Sequence, residues 1–141
     1  MWRRIQNLFH SVRTYADLSP DLRLRRQINR RLQARLALTS QEWFTRYWQP
    51  LGIPQTLSDF LYTHLPQYSG LDVARIRPDD RLNDDLFLPL VCWFDWQLTF
   101  CDDFFWQFGL DLSDSFDPEA YETLQDWVMG LHEQQMVKDS G

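Results

Sequence analysis

The chain has 141 residues and a formal net charge of −6, and hydrophobic residues make up 44% of it. That length suits one domain with an appendage rather than two domains. The hydrophobic fraction is too high for a chain that is disordered throughout, so we expect a packed core.

The net charge conceals a division along the chain. Residues 1–40 contain nine Arg and two Asp, whereas residues 41–141 contain five basic and eighteen acidic side chains. The sequence therefore predicts a basic helical extension over 1–40 in front of an acidic body over 41–141.

The N-terminal extension is predicted to hold two amphipathic helices. The first has Ile5, Leu8, Phe9 and Val12 at helical spacing. In the second, Ser19 is an expected N-cap with Pro20 in the first helical position. Its apolar stripe is Leu24, Ile28 and Leu32, with Leu36 at the same spacing, and its basic face is Arg23, Arg26, Arg30, Arg31 and Arg35.

Two further helices precede a long loop. Thr39 and Glu42 form a capping-box pattern that opens a helix ended by Pro50 and Gly52. Thr56 and Asp59 are expected to open the next helix, whose core stripe is Leu57, Phe60, Leu61 and Leu65. Turn residues over 66–86 predict a long loop, in which Asp79, Asp80, Asp84 and Asp85 are expected to be a solvated acidic turn rather than a metal site.

The remaining elements are a long helix, a short turn and a final helix. Pro89 suits the first turn of the long helix, which is expected to run to about Gln107 before Gly109 breaks it. Asp117 and Pro118 then cap a short turn, and Thr123 opens a final helix that reaches about Gln134. Because no alternating strand pattern is present, the predicted fold class is all-α.

The long helix has two apolar stripes instead of one. Val91, Phe94, Leu98, Cys101, Phe105 and Phe108 share one face, and Trp93, Trp96, Phe100 and Phe104 form a second. Together they cover about 220° of the helix, at about 100° per residue, and a helix lying on one small core needs roughly half of that. Either the N-terminal segment or another protein must therefore cover the second stripe.

Two cysteines bear on the cellular compartment. Cys92 and Cys101 are separated by about 13 Å of helical rise, too far for a disulfide, and unpaired thiols indicate a reducing compartment. The first residues lack the continuous apolar run of a signal peptide, and no stretch approaches the ~18 apolar residues of a membrane span. We expect a cytoplasmic protein.

Residues 56–134 resemble the acyl carrier protein fold. The resemblance is carried by the order of the elements and by three motifs, "IRPDDRLNDDL", "FGLDLSD" and "ETLQDWV". More narrowly, "VCWFDWQLTFCDDFFWQFGLDLSD" is similar to a family of bacterial acyl-carrier-like proteins classed as a domain of unknown function. The resemblance implies a small helical bundle that docks partners through its acidic long helix.

The chain departs from that family at the residue that carries its chemistry. Acyl carriers attach phosphopantetheine to a Ser at the start of this helix. Here that position falls on Leu90 when counted forward from Leu86, and on Phe94 when counted back from Phe108. No Ser lies between Ser69 and Ser113, and Thr99, the only hydroxyl in the helix, is wrongly placed. The expectation is a carrier-like scaffold without a cofactor, and an acyl carrier with a non-standard attachment site is the alternative.

No other pattern predicts catalysis. His10, His64 and His132 are isolated from one another and from both cysteines, which argues against a metal site or a nucleophile–base pair. The adjacent carboxylates Asp102 and Asp103 point in different directions on a helix. The chain is therefore expected not to be an enzyme.

The sequence predicts a protein-interaction module, an adaptor or a regulatory subunit. Its expected partner is another protein or a second copy of the chain, bound by aromatic anchors with an acidic rim. The anchors are Trp93, Trp96, Phe100 and Phe104, and the rim is Asp95, Asp102 and Asp103. The alternative for the four aromatic residues is that they belong to the core of the chain itself. For the basic face the alternatives are pairing with the chain's own acidic residues, nucleic-acid binding and membrane-surface binding.

Overall fold

A computed structural model describes residues 19–140 of the chain. The predicted all-α class is confirmed, because these residues form six α-helices and no β-strand. Short 3₁₀ turns lie at Val73–Arg75 and Pro118–Ala120. The helices are α1 (Leu22–Leu32), α2 (Ser40–Trp43), α3 (Gln55–Ser69), α4 (Leu88–Val91), α5 (Trp96–Phe108) and α6 (Leu124–Ser140).

Helix α1 begins later than predicted and belongs to the same core as the acidic body. Asp21, not Ser19, is its N-cap, and the Asp21 carboxylate accepts a hydrogen bond from the backbone N–H of Leu24. The predicted stripe is confirmed at Ile28 and Leu32, which are buried in the core cluster, and Leu24 packs against them partly buried. It is wrong at Leu36, which lies beyond the end of the helix and is 72% exposed. The first predicted helix, with Ile5, Leu8, Phe9 and Val12, lies outside the described residues.

Helix α2 begins at the predicted capping box. The Thr39 hydroxyl accepts from the N–H of Glu42, and the Glu42 carboxylate accepts from the N–H of Thr39. The helix continues through a π-turn over Phe44–Trp48 and a 3₁₀ turn over Gln49–Leu51. It ends, as predicted, at Gly52, whose φ of 77° lies in the left-handed region.

Helix α3 differs from its prediction at both ends. Its N-cap is Pro54 rather than Thr56, and Asp59 accepts a hydrogen bond from the Ser40 hydroxyl instead of capping the helix. The helix also continues through Pro66 to Ser69, where a loop was expected. Burial of Tyr68 and Ser69 in the last turn favours the helix despite the missing N–H of Pro66.

The acidic loop over 70–87 leaves Asp79 and Asp84 exposed, as predicted, but packs its apolar residues into the core. Its apolar side chains Ile76, Leu82 and Leu86 are buried, and so is the carboxylate of Asp80. Within residues 19–140, no group of three or more His, Cys, Asp or Glu side chains is arranged to hold a metal ion.

The predicted long helix is two helices. Helix α4 ends where Cys92 becomes extended, with ψ of 158°, and α5 begins only at Trp96. In the interruption the N–H of Trp93 donates to the carbonyl of Tyr68 at 3.3 Å, which replaces a bond within the helix. The break changes the rotation between the residues before it and those after it, so the two stripes predicted from one continuous helix do not persist.

The C-terminal half closes the bundle. Gly109 ends α5 with φ of 70°, and the reciprocal bonds of Thr123 and Asp126 cap α6, both as predicted. Helix α6 is longer than expected and reaches Ser140. Leu124, Trp127, Val128 and Leu131 are its buried residues. Across residues 19–140, no helix combines the length and the apolar character needed to cross a bilayer.

Candidate protein-interaction surface

Three of the four predicted anchors belong to the core. Trp96 is 6% exposed, and Phe100 and Phe104 are fully buried. The Phe100 ring lies 4.9 Å from that of Phe116 and 5.1 Å from that of Trp127, centre to centre. The prediction that these three side chains contact a partner is wrong for the folded chain, because its own aromatic residues already cover them.

The fourth predicted anchor lies on an exposed turn. Trp93 is 52% exposed, and Leu90 and Phe94 beside it in the chain are 54% and 47% exposed. We refer to Leu90, Trp93 and Phe94 as the apolar turn. Phe94 was predicted to face the core with Val91, and the break between α4 and α5 turns it outward while Val91 remains buried.

The backbone of the apolar turn is held on two sides. The N–H of Asp21 donates to the carbonyl of Leu90 at 2.8 Å, and the Arg25 guanidinium donates to the carbonyl of Val91 at 2.5 Å. On the other side, Trp93 donates to Tyr68 at the end of α3. The turn therefore presents apolar side chains from a fixed backbone, which lowers the conformational entropy that binding would cost.

The three predicted rim carboxylates have different surroundings. Asp95 is partly exposed directly after the apolar turn, and Asp102 is exposed on α5. Asp103 instead accepts a hydrogen bond from the Tyr68 hydroxyl at 2.6 Å and lies 3.5 Å from Nδ1 of His64. Burial, helped by this bond to Asp103, raises the pKa of Tyr68 far above its ordinary value. Asp103 thus joins α5 to α3, and only Asp95 and Asp102 remain free to border a docking surface.

The predicted basic face is divided between solvent and the fold. Arg23, Arg26 and Arg30 are exposed on α1. Arg31 is also exposed but donates to the carbonyl of Asp85 at 2.9 Å. Arg35 forms a two-bond ion pair with Asp80. Pairing with the chain's own acidic residues is thus observed for Arg35.

A second exposed aromatic site lies at the far end of α5. Trp106 is 84% exposed and Phe105 is 48% exposed. The helical spacing placed Phe105 on one face with Val91 and Cys101, which are buried, but Phe105 is exposed. Ten residues separate Trp106 from Trp96 at the start of the helix, or about 15 Å of rise. This second site is therefore separate from the apolar turn.

The thiols and imidazoles of the described residues lie in different surroundings. Cys92 and Cys101 are buried and are not joined in a disulfide, and burial raises the pKa of Cys92 to about 12, so its thiol stays protonated at neutral pH. The His64 ring faces Asp103 and lies against the ring of Tyr68. His132 lines a separate cleft of about 290 Å³ with Lys138 and Phe108.

No protein-family model, no curated protein and no solved structure matches this chain.

Proposed function

We propose that this chain is a non-catalytic protein-interaction module, an adaptor or a regulatory subunit, that binds a partner protein through the apolar turn. The single observation that carries the proposal is the exposure of Leu90, Trp93 and Phe94 together on a hydrogen-bonded backbone. Singly exposed apolar residues are ordinary, but adjacent large ones with a polar border are typical of docking sites.

The composition of the turn also supports protein binding. Trp is enriched among interface residues that contribute most to affinity, and aromatic rings bury much area at a small entropic cost. Asp95 directly follows the turn in the chain, and Asp102 is exposed farther along α5, so both carboxylates would steer a partner that carries basic residues at the rim of its own surface.

The scaffold forms part of the same proposal. This part of the proposal rests on the resemblance to acyl carriers in the sequence, which places α3, the acidic loop, α4, α5, the 3₁₀ turn and α6 in the carrier-like region. Both positions at which the carrier Ser would fall, Leu90 and Phe94, belong to the apolar turn. We infer that an apolar docking site occupies the place where a carrier displays its phosphopantetheine arm.

Affinity capture from cells of the source organism tests the proposal. The full chain is compared with the double variant Trp93→Ser/Phe94→Ser and with Trp106→Ser, a matched loss of an exposed aromatic at the other end of α5. We expect one protein to be retained by the wild type and by Trp106→Ser, and lost from the double variant. Circular dichroism verifies that all three chains are folded.

Two results contradict the proposal. A protein that the double variant retains and Trp106→Ser loses would place the docking surface at the C-terminal end of α5. A covalent phosphopantetheine adduct, seen in the intact mass of the chain from its own host, would favour the carrier function, for which the exposed Thr99 is the hydroxyl nearest to the turn along α5.

A second candidate function rests on the exposed arginines of α1. Arg23, Arg26 and Arg30 face solvent while Ile28 and Leu32 anchor the helix, so three guanidinium groups are free to meet phosphates of nucleic acid or of a membrane surface. Binding by this route should weaken steeply with salt and disappear in Arg23→Gln/Arg26→Gln/Arg30→Gln, and the apolar-turn variant should leave it unchanged.

A further inference from the structure

The described chain begins beside the apolar turn. Pro20 is buried, and the next residue, Asp21, donates its N–H to the carbonyl of Leu90 at 2.8 Å. Leu22, directly after it, is 52% exposed. The last residue of the stretch 1–18 is therefore only three residues before Asp21, whose backbone is hydrogen-bonded to the apolar turn.

The sequence of residues 1–18 is suited to an apolar, acid-bordered surface. It has four apolar residues at helical spacing, Ile5, Leu8, Phe9 and Val12. It also carries Arg3, Arg4 and Arg13 against one acid, Asp17, while residues 41–141 are strongly acidic. Eighteen residues span up to about 60 Å when extended and about 27 Å as a helix, so the stretch can reach the turn in either form.

The covalent connection favours this stretch over a separate molecule. A segment attached by a short linker is present at its site at an effective concentration in the millimolar range. A weak contact among a few apolar side chains then suffices to keep the site occupied, and a second copy of the chain or a free partner has no such advantage.

We propose that residues 1–18 bind the apolar turn of the same chain through Ile5, Leu8, Phe9 and Val12, and thereby compete with the partner. The competition rests on the proposed function, whereas the intramolecular contact does not. The partner surface would then be regulated by release of the N-terminal segment.

Fluorine NMR of the full chain labelled with 5-fluorotryptophan tests the contact without any partner. The chain contains seven Trp, and Trp93→Phe and Trp106→Phe identify the two resonances that matter. The shift of each resonance between H₂O and D₂O reports its access to solvent. Trp106, on an exposed site distant from the turn, is the internal reference.

The test uses two variants with the same change of charge. Leu8→Asp/Phe9→Asp removes half of the apolar positions, and Gln6→Asp/Asn7→Asp alters the neighbouring positions. We expect the isotope shift of Trp93 to be much smaller than that of Trp106 in the wild type and in the second variant. In Leu8→Asp/Phe9→Asp, the isotope shift of Trp93 should rise to that of Trp106, and the isotope shift of Trp106 should not change.

Three results would overturn the inference. The first is an isotope shift of Trp93 as large as that of Trp106 in the wild type. The second is an isotope shift of Trp93 that stays small in Leu8→Asp/Phe9→Asp. The third is a small Trp93 shift that rises on dilution, because a second copy of the chain would then provide the cover. None of these results affects the proposed function, which depends on capture of a partner by the turn. If both proposals hold, Leu8→Asp/Phe9→Asp retains more partner than the wild type does.

Discussion

The guanidinium group of Arg35 binds both carboxylate oxygens of Asp80, at 2.6 and 2.8 Å. Asp80 is 4% exposed and also accepts a hydrogen bond from the backbone N–H of Arg77 at 2.8 Å. The bond to Asp80 is the main reason that the pKa of Arg35 is raised above its ordinary value. One buried carboxylate thus connects the basic N-terminal segment to the acidic loop.

Asp80→Asn should destabilise the chain by about 2–3 kcal/mol, because it leaves a partly buried guanidinium without its counter-charge. We expect a loss of stability near the lower end of this range, because about a quarter of the Arg35 side chain is exposed to solvent. Asp79→Asn, in the exposed neighbouring residue, is the control and should change stability by less than about 0.5 kcal/mol. Urea unfolding at neutral pH measures both. Equal losses in the two variants would contradict a specific role for the Arg35–Asp80 pair.

Phe100→Ala should lower the free energy of unfolding by about 4 kcal/mol, because it leaves a cavity among Phe60, Phe116 and Trp127. Trp106→Ala removes a larger ring from the same helix at an exposed position and should cost less than about 0.5 kcal/mol. Chemical unfolding followed by circular dichroism gives both values. A stable, fully helical Phe100→Ala chain would restore Phe100 as a surface residue.

The features predicted correctly are those that depend on neighbours in the sequence. The pairs Thr39–Glu42 and Thr123–Asp126 cap helices within four residues, and Gly109 ends α5 with its own backbone. Such bonds join residues that the chain places together in any fold, so the residue types suffice to predict them.

The predicted caps at Ser19 and Thr56 failed although capping is local, whereas two larger errors depend on contacts between distant residues. The break before Trp96 is accompanied by the bond from Trp93 to Tyr68, and Asp80 is buried because Arg35 lies 45 residues earlier in the chain. Apolar spacing measures how wide the stripe of a helix is, but not which side meets the core. Trp93 is therefore the one predicted anchor that the fold leaves exposed.

Two glycines with positive φ should respond differently to Ala. Gly52→Ala should cost about 1 kcal/mol, because its φ of 77° strains any L-residue although no atom lies within 4 Å of the added methyl. In Gly70→Ala the methyl would come within 2.5 Å of the Arg25 side chain and displace it from the carbonyl of Val91. The loss of that charge-assisted hydrogen bond should add about 1–2 kcal/mol to the cost of backbone strain in Gly70→Ala.

A double-mutant cycle separates the two costs of Gly70→Ala. With Arg25 replaced by Ala, the displaced guanidinium is absent, so the cost of Gly70→Ala should fall to that of Gly52→Ala. Thermal and urea unfolding supply the four free energies. A cost that is unchanged in the Arg25→Ala background would mean that Arg25 moves aside freely and that backbone strain accounts for the whole effect.

Asp85 should make stability depend on pH in a defined window. Its carboxylate accepts hydrogen bonds from the side chain and the backbone N–H of Arg81, at 2.9–3.1 Å, and these bonds hold the pKa of Asp85 below its ordinary value. A carboxyl whose pKa is lower in the folded than in the unfolded chain stabilises the fold above the unfolded value, about 3.9. That contribution is lost as the pH falls through the lower folded value.

Asp85→Asn should therefore be less stable than the wild type by up to about 1 kcal/mol at neutral pH, the range for a largely exposed ion pair. The difference should narrow as the pH falls below about 4, where the wild-type carboxyl also becomes neutral. Asp84→Asn is the control, since Asp84 is more exposed and lies 3.7 Å from Arg81, and its deficit should be smaller at neutral pH. Urea unfolding of the three chains between neutral pH and about pH 3 gives the comparison. A deficit of Asp85→Asn that stays constant or grows on acidification would show that the carboxylate is not the stabilising form.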